Sequence, residues 1–110
     1  MEYTIEYFNR RAMEEIESWP AGLLADYARL VELLMEFGPA LKMPYSRSMG
    51  GGLFELRARG AEGAARALYC FTVGRRIVVL HTVVKKTRAT RQNDLDIARA
   101  RMKEVRRGTK

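Results

Sequence analysis

Residues 75–88, RRIVVLHTVVKKTR, decide the architecture. Their middle, 77–84, is β-branched or apolar except for His81 and Thr82. The run is too short for a membrane helix, and its composition is that of a strand covered on part of both faces. It ends in Lys85, Lys86 and Arg88, so the strand delivers positive charge to one edge of whatever sheet it joins. The plain alternative is a solvated strand end, and the neighbouring segments bear on the choice.

Upstream, 53–59 and 66–73 also read as strands, which with 76–84 make a three-stranded antiparallel meander. Gly74-Arg75 reads as a two-residue hairpin of type II′, because glycine stands first. That turn pairs Arg66 with Val83, Leu68 with His81 and Tyr69 with Leu80. A looser turn at 60–63 pairs Arg57 with Arg66 and Glu55 with Leu68. Following the pleat, one face carries Phe54, Leu56, Ala67, Tyr69, Phe71, Val73, Val78, Leu80, Thr82 and Val84. The other carries Glu55, Arg57, Arg66, Leu68, His81, Val83 and Lys85. Arginine facing arginine costs a few tenths to about 1 kcal/mol. An anion bound among them would offset that repulsion. The same repulsion predicts that Arg66→Ala leaves the fold intact, with a level or raised thermal midpoint.

Before the meander, 2–8 alternates, with Tyr3, Ile5 and Tyr7 on one side, as a half-buried strand does. Asn9 is placed to cap a helix over 10–19 with Met13, Ile16 and Trp19 inside. Pro20 separates it from a second helix over 21–37, whose stripe is Leu23, Tyr27, Leu30, Val31, Leu34 and Phe37. Gly38 and Pro39 end that helix. The two form a hairpin that needs an apolar surface to lie on, and the meander supplies one. Residues 40–52 read as a linking loop ending in SRSMGGG, whose glycines permit unusual backbone angles or close approach of another chain. They lack the Gly-Lys-Ser/Thr ending of a phosphate loop. After the meander, Asn93 reads as the cap of a helix over 94–107. Asp94 and Asp96 then sit at its positive end, and Arg99, Arg101, Lys103, Arg106 and Arg107 make a basic outer face. The expected fold class is therefore α+β: an N-terminal strand, a helix hairpin, a three-stranded antiparallel meander and a C-terminal helix.

A chain of 110 residues that is 47% hydrophobic has the size of one domain, 1–110, with a modest core. No apolar run approaches the roughly 20 residues of a membrane span. The N-terminus lacks a signal-peptide layout, so the cytoplasm is the expected location. One cysteine and one histidine offer no transition-metal cluster, and no metal or cofactor is expected. The net charge of +7 points to a polyanionic partner, nucleic acid or an acidic protein.

The order of elements, the length and the charge resemble the RelE/ParE superfamily of toxins from bacterial toxin–antitoxin pairs. PYSRSMGGGLFELR (44–57), RALYCF (66–71) and IVVLHTVVKKTR (77–88), followed by IARAR (97–101), are similar to the HigB-like branch that includes phage-derived members. This wording covers 44–101; the first half matches in layout. The resemblance implies a metal-independent endoribonuclease that cuts mRNA, commonly within the ribosome, and is silenced by a cognate antitoxin. In such cleavage the ribose 2′-hydroxyl attacks the adjacent phosphate. The reaction needs a base, cations on the phosphate and an acid for the leaving oxygen.

By the family's motif, Arg66 matches a phosphate-binding arginine and Lys86 a second cationic position, with Arg57 and Lys85 beside them. Simple alternation puts Lys85 rather than Lys86 on the arginine face, which a bulge at the strand end would reconcile. Arg47, in the glycine loop, reads as a phosphate contact, and Arg88, Arg99 and Arg101 extend the RNA-binding set. The tyrosine or histidine that RelE-like members carry near the C-terminus is missing from 101–110. Substitutes for proton transfer are Glu55, Tyr69, His81 or a lysine among cationic neighbours. Each has an ordinary reading too: a salt-bridge partner for Glu55, core packing for Tyr69, a buried strand position for His81. Two other functions fit the same fold. One is a ParE-like toxin that poisons DNA gyrase without catalysis. The other is a non-toxic nucleic-acid-binding domain, which would interleave exposed aromatics with its basic residues. Here the aromatics fall on the opposite face.

Overall fold

In a computed structural model describing residues 2–85 and 92–108, with Lys85 described by its backbone alone, the decisive stretch is β5 (Arg76–Lys85). It lies between β1 (Thr4–Tyr7), which runs parallel to it, and β4 (Gly63–Thr72), which runs antiparallel. The sheet continues through β3 (Leu53–Gly60) to β2 (Ser46–Gly50), giving the five-stranded order β1-β5-β4-β3-β2. The meander thus carries an extra strand at each side. The N-terminal strand is anticipated by its alternation. Strand β2 is not, because it falls where the composition reads as a linking loop.

The sequence elsewhere forms elements for local reasons. Asn9 caps α1 (Arg10–Glu17), its side chain accepting from Ala12 N–H at 2.9 Å. The inner stripe of α1 is Ala12, Ile16 and the following Trp19; Met13 points outward and is 37% exposed, contrary to the stripe read from sequence. Helix α2 (Ala21–Phe37) buries Leu23, Tyr27, Leu30 and Leu34, one face at intervals of three and four residues. It stops at Gly38, whose φ of 54° suits glycine, and the Tyr3 ring occupies the space a Cβ would need. Helix α3 (Gln92–Gly108) starts before Asn93, which is therefore inside the helix rather than its cap.

Both faces of the sheet are apolar in part. Leu56, Ala58, Ala65, Ala67, Tyr69, Ile77 and Val79 pack against α1 and α2. On the opposite face Leu53, Leu68, Cys70, Val78 and Leu80 pack against Ala98 and Met102 of α3. Val78 and Leu80 are thereby on the face opposite to the one simple alternation assigns, and the turn explains why. Gly74 and Arg75 both have left-handed backbone, φ 77° and 57°, and residues 73–75 form a three-residue connection closed by Thr72 opposite Arg76. A type II′ turn would have a positive φ at glycine alone. Near the turn the pairing is Tyr69 with Val79, one step from the predicted register. A bulge between Leu68 and Tyr69 then absorbs one β5 residue. Beyond it Leu68 faces His81 and Arg66 faces Val83, as the sequence predicts. Leu80 and His81 both turn toward α3 as a result, the first into its apolar cluster and the second onto Asp94.

Candidate cationic site

The end of the sheet that lies beyond the α3 cluster carries the arginines. Arg57 and Arg66 are a cross-strand pair, and Glu55 stands opposite Leu68, both as expected from the sequence. Arg47 on β2 stands opposite Glu55, so one carboxylate has arginines on either side. Glu55 and Arg66 are buried, at 1% and 5% exposure. Arg66 Nη1 donates to Glu55 Oε1 at 3.1 Å, and Arg57 Nε lies 3.8 Å from the same oxygen.

Arg57 is under-satisfied. Its Nε is buried with no hydrogen bond, although Nη1 rests against Met43 Sδ at 3.4 Å. Burial holds its guanidinium below the ordinary arginine value, and the positive charges of Arg66, Arg59 and Arg47 push the same way against the pull of Glu55. Three further arginines thus act on Arg57, and two of the four, Arg57 and Arg66, pair with Glu55. An anion entering here loses water but gains several donors, which is the electrostatic setting of a phosphate site. Arg59, exposed at the end of β3, belongs to this group and is not singled out by sequence reading; its place two residues from Arg57 on one strand face is the signal that could have found it.

The remaining predicted residues divide. Lys85 occupies the register position opposite Ala64, on the Arg66 face, with no bulge between it and Thr82. Lys86 and Arg88 lie outside the described residues. Tyr69 is on the helix-hairpin face, where its hydroxyl meets Ser46 Oγ. Burial raises that phenol to about 12, although the Ser46 hydrogen bond opposes the shift, and at 1% exposure Tyr69 is packed in the core. His81 is brought against α3, with Nε2 2.9 Å from Asp94 Oδ1.

The two arginines of α3 assigned to RNA are used inside the chain. Arg99 donates to the carbonyls of Met49 and Gly50 at 2.8 and 3.0 Å. Arg101 donates to Leu80 O at 2.8 Å and covers the Phe8 ring. Arg106 lies close to Gly52, where its guanidinium takes the room of a Cβ. Gly50, Gly51 and Gly52 all have positive φ. The glycine run is therefore the β2–β3 turn, held by α3, and not a cradle for a nucleotide.

Among the described residues no group of three or more histidine, cysteine, aspartate or glutamate side chains could hold a metal ion. No described helix is long and apolar enough to cross a membrane.

This arrangement of sheet and helices is that of RelE. Over 80% of this chain and all of the matched one, the fold superimposes on a chain of the archaeal RelE–RelB complex from Pyrococcus horikoshii OT3, with a TM-score of 0.57 at 18% identity. The chain belongs to the phage-derived Gp49-like family (DUF891), whose model matches residues 14–103. No curated protein matches it. Family and fold together place the chain in the RelE superfamily.

Proposed function

We propose that this protein is the toxin of a toxin–antitoxin pair and acts as a metal-independent endoribonuclease on mRNA, in the cytoplasm and on the ribosome. The observation that carries the reading is the crowding of Arg47, Arg59 and Arg66 about Arg57 on one end of the sheet, with Glu55 paired to Arg57 and Arg66. Glu55 anchors Arg66, and Arg66 in turn keeps Arg57 short of counter-charge. Lys85 extends the row by its register position, and Lys86 and Arg88 follow it in sequence. Such a row stabilises the charge that builds on a phosphate as the 2′-oxygen attacks and the 5′-oxygen leaves. The substrate supplies its own nucleophile, so no metal is needed to make one. The ribosome holds the message extended and limits the geometry to be searched.

The partner is a cognate antitoxin, for which the resemblance to RelE in a RelE–RelB complex is the support. Brief induction followed by mapping of transcript ends tests the function. We expect new ends carrying 5′-hydroxyl groups inside coding regions, and a loss of these ends in Arg57→Ala. Intact transcripts with failing DNA supercoiling would replace this reading with gyrase poisoning.

A further inference from the structure

Of the residues available for proton transfer, two are excluded by their surroundings. Glu55 is buried between arginines, and Tyr69 lies on the other face of the sheet. His81 is different. The β5 bulge turns it toward α3, where Asp94 meets Nε2. A carboxylate accepts, so Nε2 carries the hydrogen, and in the neutral ring Nδ1 presents a lone pair. No other described residue bonds to the imidazole, whose side chain keeps 16% of its surface open. His81 lines two adjoining cavities of about 250 and 240 Å³ between α1 and the end of β5, with Glu15 common to both. The cavities form where β1 leaves the sheet after Val79, so the edge of β5 beyond it has no β1 partner.

We propose that His81 is the proton-transfer residue of the cleavage and that Asp94 is its positioning residue, fixing the ring and its tautomer. This rests on the ribonuclease reading above. His81 shares its sheet face with Arg66, which lies diagonally across the ladder because Leu68 opposes His81. Diagonal neighbours of this kind are about 7 Å apart, a spacing that one nucleotide's ribose and phosphate can bridge. In the step, the 2′-hydroxyl gives its proton to Nδ1 as the 2′-oxygen–phosphorus bond forms and the phosphorus–5′-oxygen bond breaks. The imidazolium returns that proton through solvent to the departing 5′-oxygen, so no proton is gained or lost overall. The charged groups about His81 are Asp94, bonded to the ring, and Arg101 of α3 with Glu15 and Arg11 of α1, which line one cavity with it. Asp94 is therefore more than a favourable charge at a helix start.

The chain contains one histidine, so its ring nitrogens can be read by ¹⁵N NMR on the free protein without assignment. The neutral ring should show the Nε2–H tautomer in the wild type, and a mixture of both in Asp94→Ala. An unchanged tautomer in Asp94→Ala would overturn the dyad whether or not the protein cuts RNA. In the cleavage assay His81→Ala should lose roughly 10²–10⁴-fold, with part of the rate restored by added imidazole. His81→Gln, which keeps a donor for Asp94, decides the matter if alanine does not fold. Asp94→Asn should lose less than His81→Gln. Full activity in His81→Gln while Arg57→Ala is inactive would remove His81 from the chemistry and leave the ribonuclease intact. Absence of cutting by the wild type would remove both.

Discussion

Glu55 and Arg66 show how a residue's energetic sign depends on what stands beside it. Seen only as Arg57 facing Arg66, the pair is repulsive, and removing one arginine should help. The structure adds a buried carboxylate 3.1 Å from Arg66, which reverses the expectation for that residue. Arg66→Ala would take from buried Glu55 its ion-pair partner at 3.1 Å, at a cost of about 3 kcal/mol. Arg57→Ala, by contrast, leaves the 3.1 Å Arg66–Glu55 pair in place and removes an arginine whose arginine neighbours repel it, and should cost less than about 1 kcal/mol. Denaturant midpoints of the two variants check this. A larger loss in Arg57→Ala than in Arg66→Ala would contradict the assignment of Arg66 as the anchored member. Loss of toxicity in Arg66→Ala is then no proof of an RNA contact, and Arg57 is the cleaner functional test.

At the scale of elements, ties between helix and sheet position the cationic row. Asp26 of α2 accepts from the backbone N–H of Arg59 and from Arg29 Nη2, both at 2.8 Å, and so fixes the end of β3. Burial opposes the charged form, but these hydrogen bonds prevail and hold the carboxyl below its usual 3.8. A carboxylate lowered in the folded state binds its proton later than the unfolded chain does. Its contribution is therefore whole above the unfolded value and is lost as pH falls through the folded one. Asp26→Asn should flatten the fall of stability below about pH 4, measured as melting midpoint against pH. An acid limb as steep as the wild type's would show that the proton is taken up elsewhere. On the other side of the sheet, Arg99 holds the β2–β3 turn and with it the strand bearing Arg47.

Over the whole molecule the net charge of +7 is unevenly employed. Arg99 and Arg101 satisfy carbonyls, and Arg76 pairs with Glu6, its Nε 2.7 Å from Oε2. Arg47 and Arg59 stay exposed on either side of Arg57, so that end of the sheet offers charge to a partner. An antitoxin covering that end should present acidic groups, with apolar anchors setting the affinity. Raising salt should then slow association far more than it hastens dissociation. Stopped-flow kinetics over a range of ionic strength checks this, and a salt-independent association rate would argue against charge steering.

The sequence by itself determined the elements whose signals are local. Alternation marks β1; Asn9, Pro20 and Gly38 punctuate the helices; and the apolar runs mark the meander and its Arg57–Arg66 register. Motif wording pointed to the superfamily as well. Tertiary structure decided what depends on neighbours distant in sequence. Strand β2 is polar and glycine-rich, and it becomes a strand because β3 pairs with it and arginines of α3 hold its turn. The faces of Val78 and Leu80 were settled by two successive left-handed residues and a compensating bulge, since one extra residue inverts every side chain up to the correction. His81 met Asp94, and Arg66 met Glu55, only when strands and helix were packed together. Charge patterning along a chain counts charges, but their partners are chosen in three dimensions.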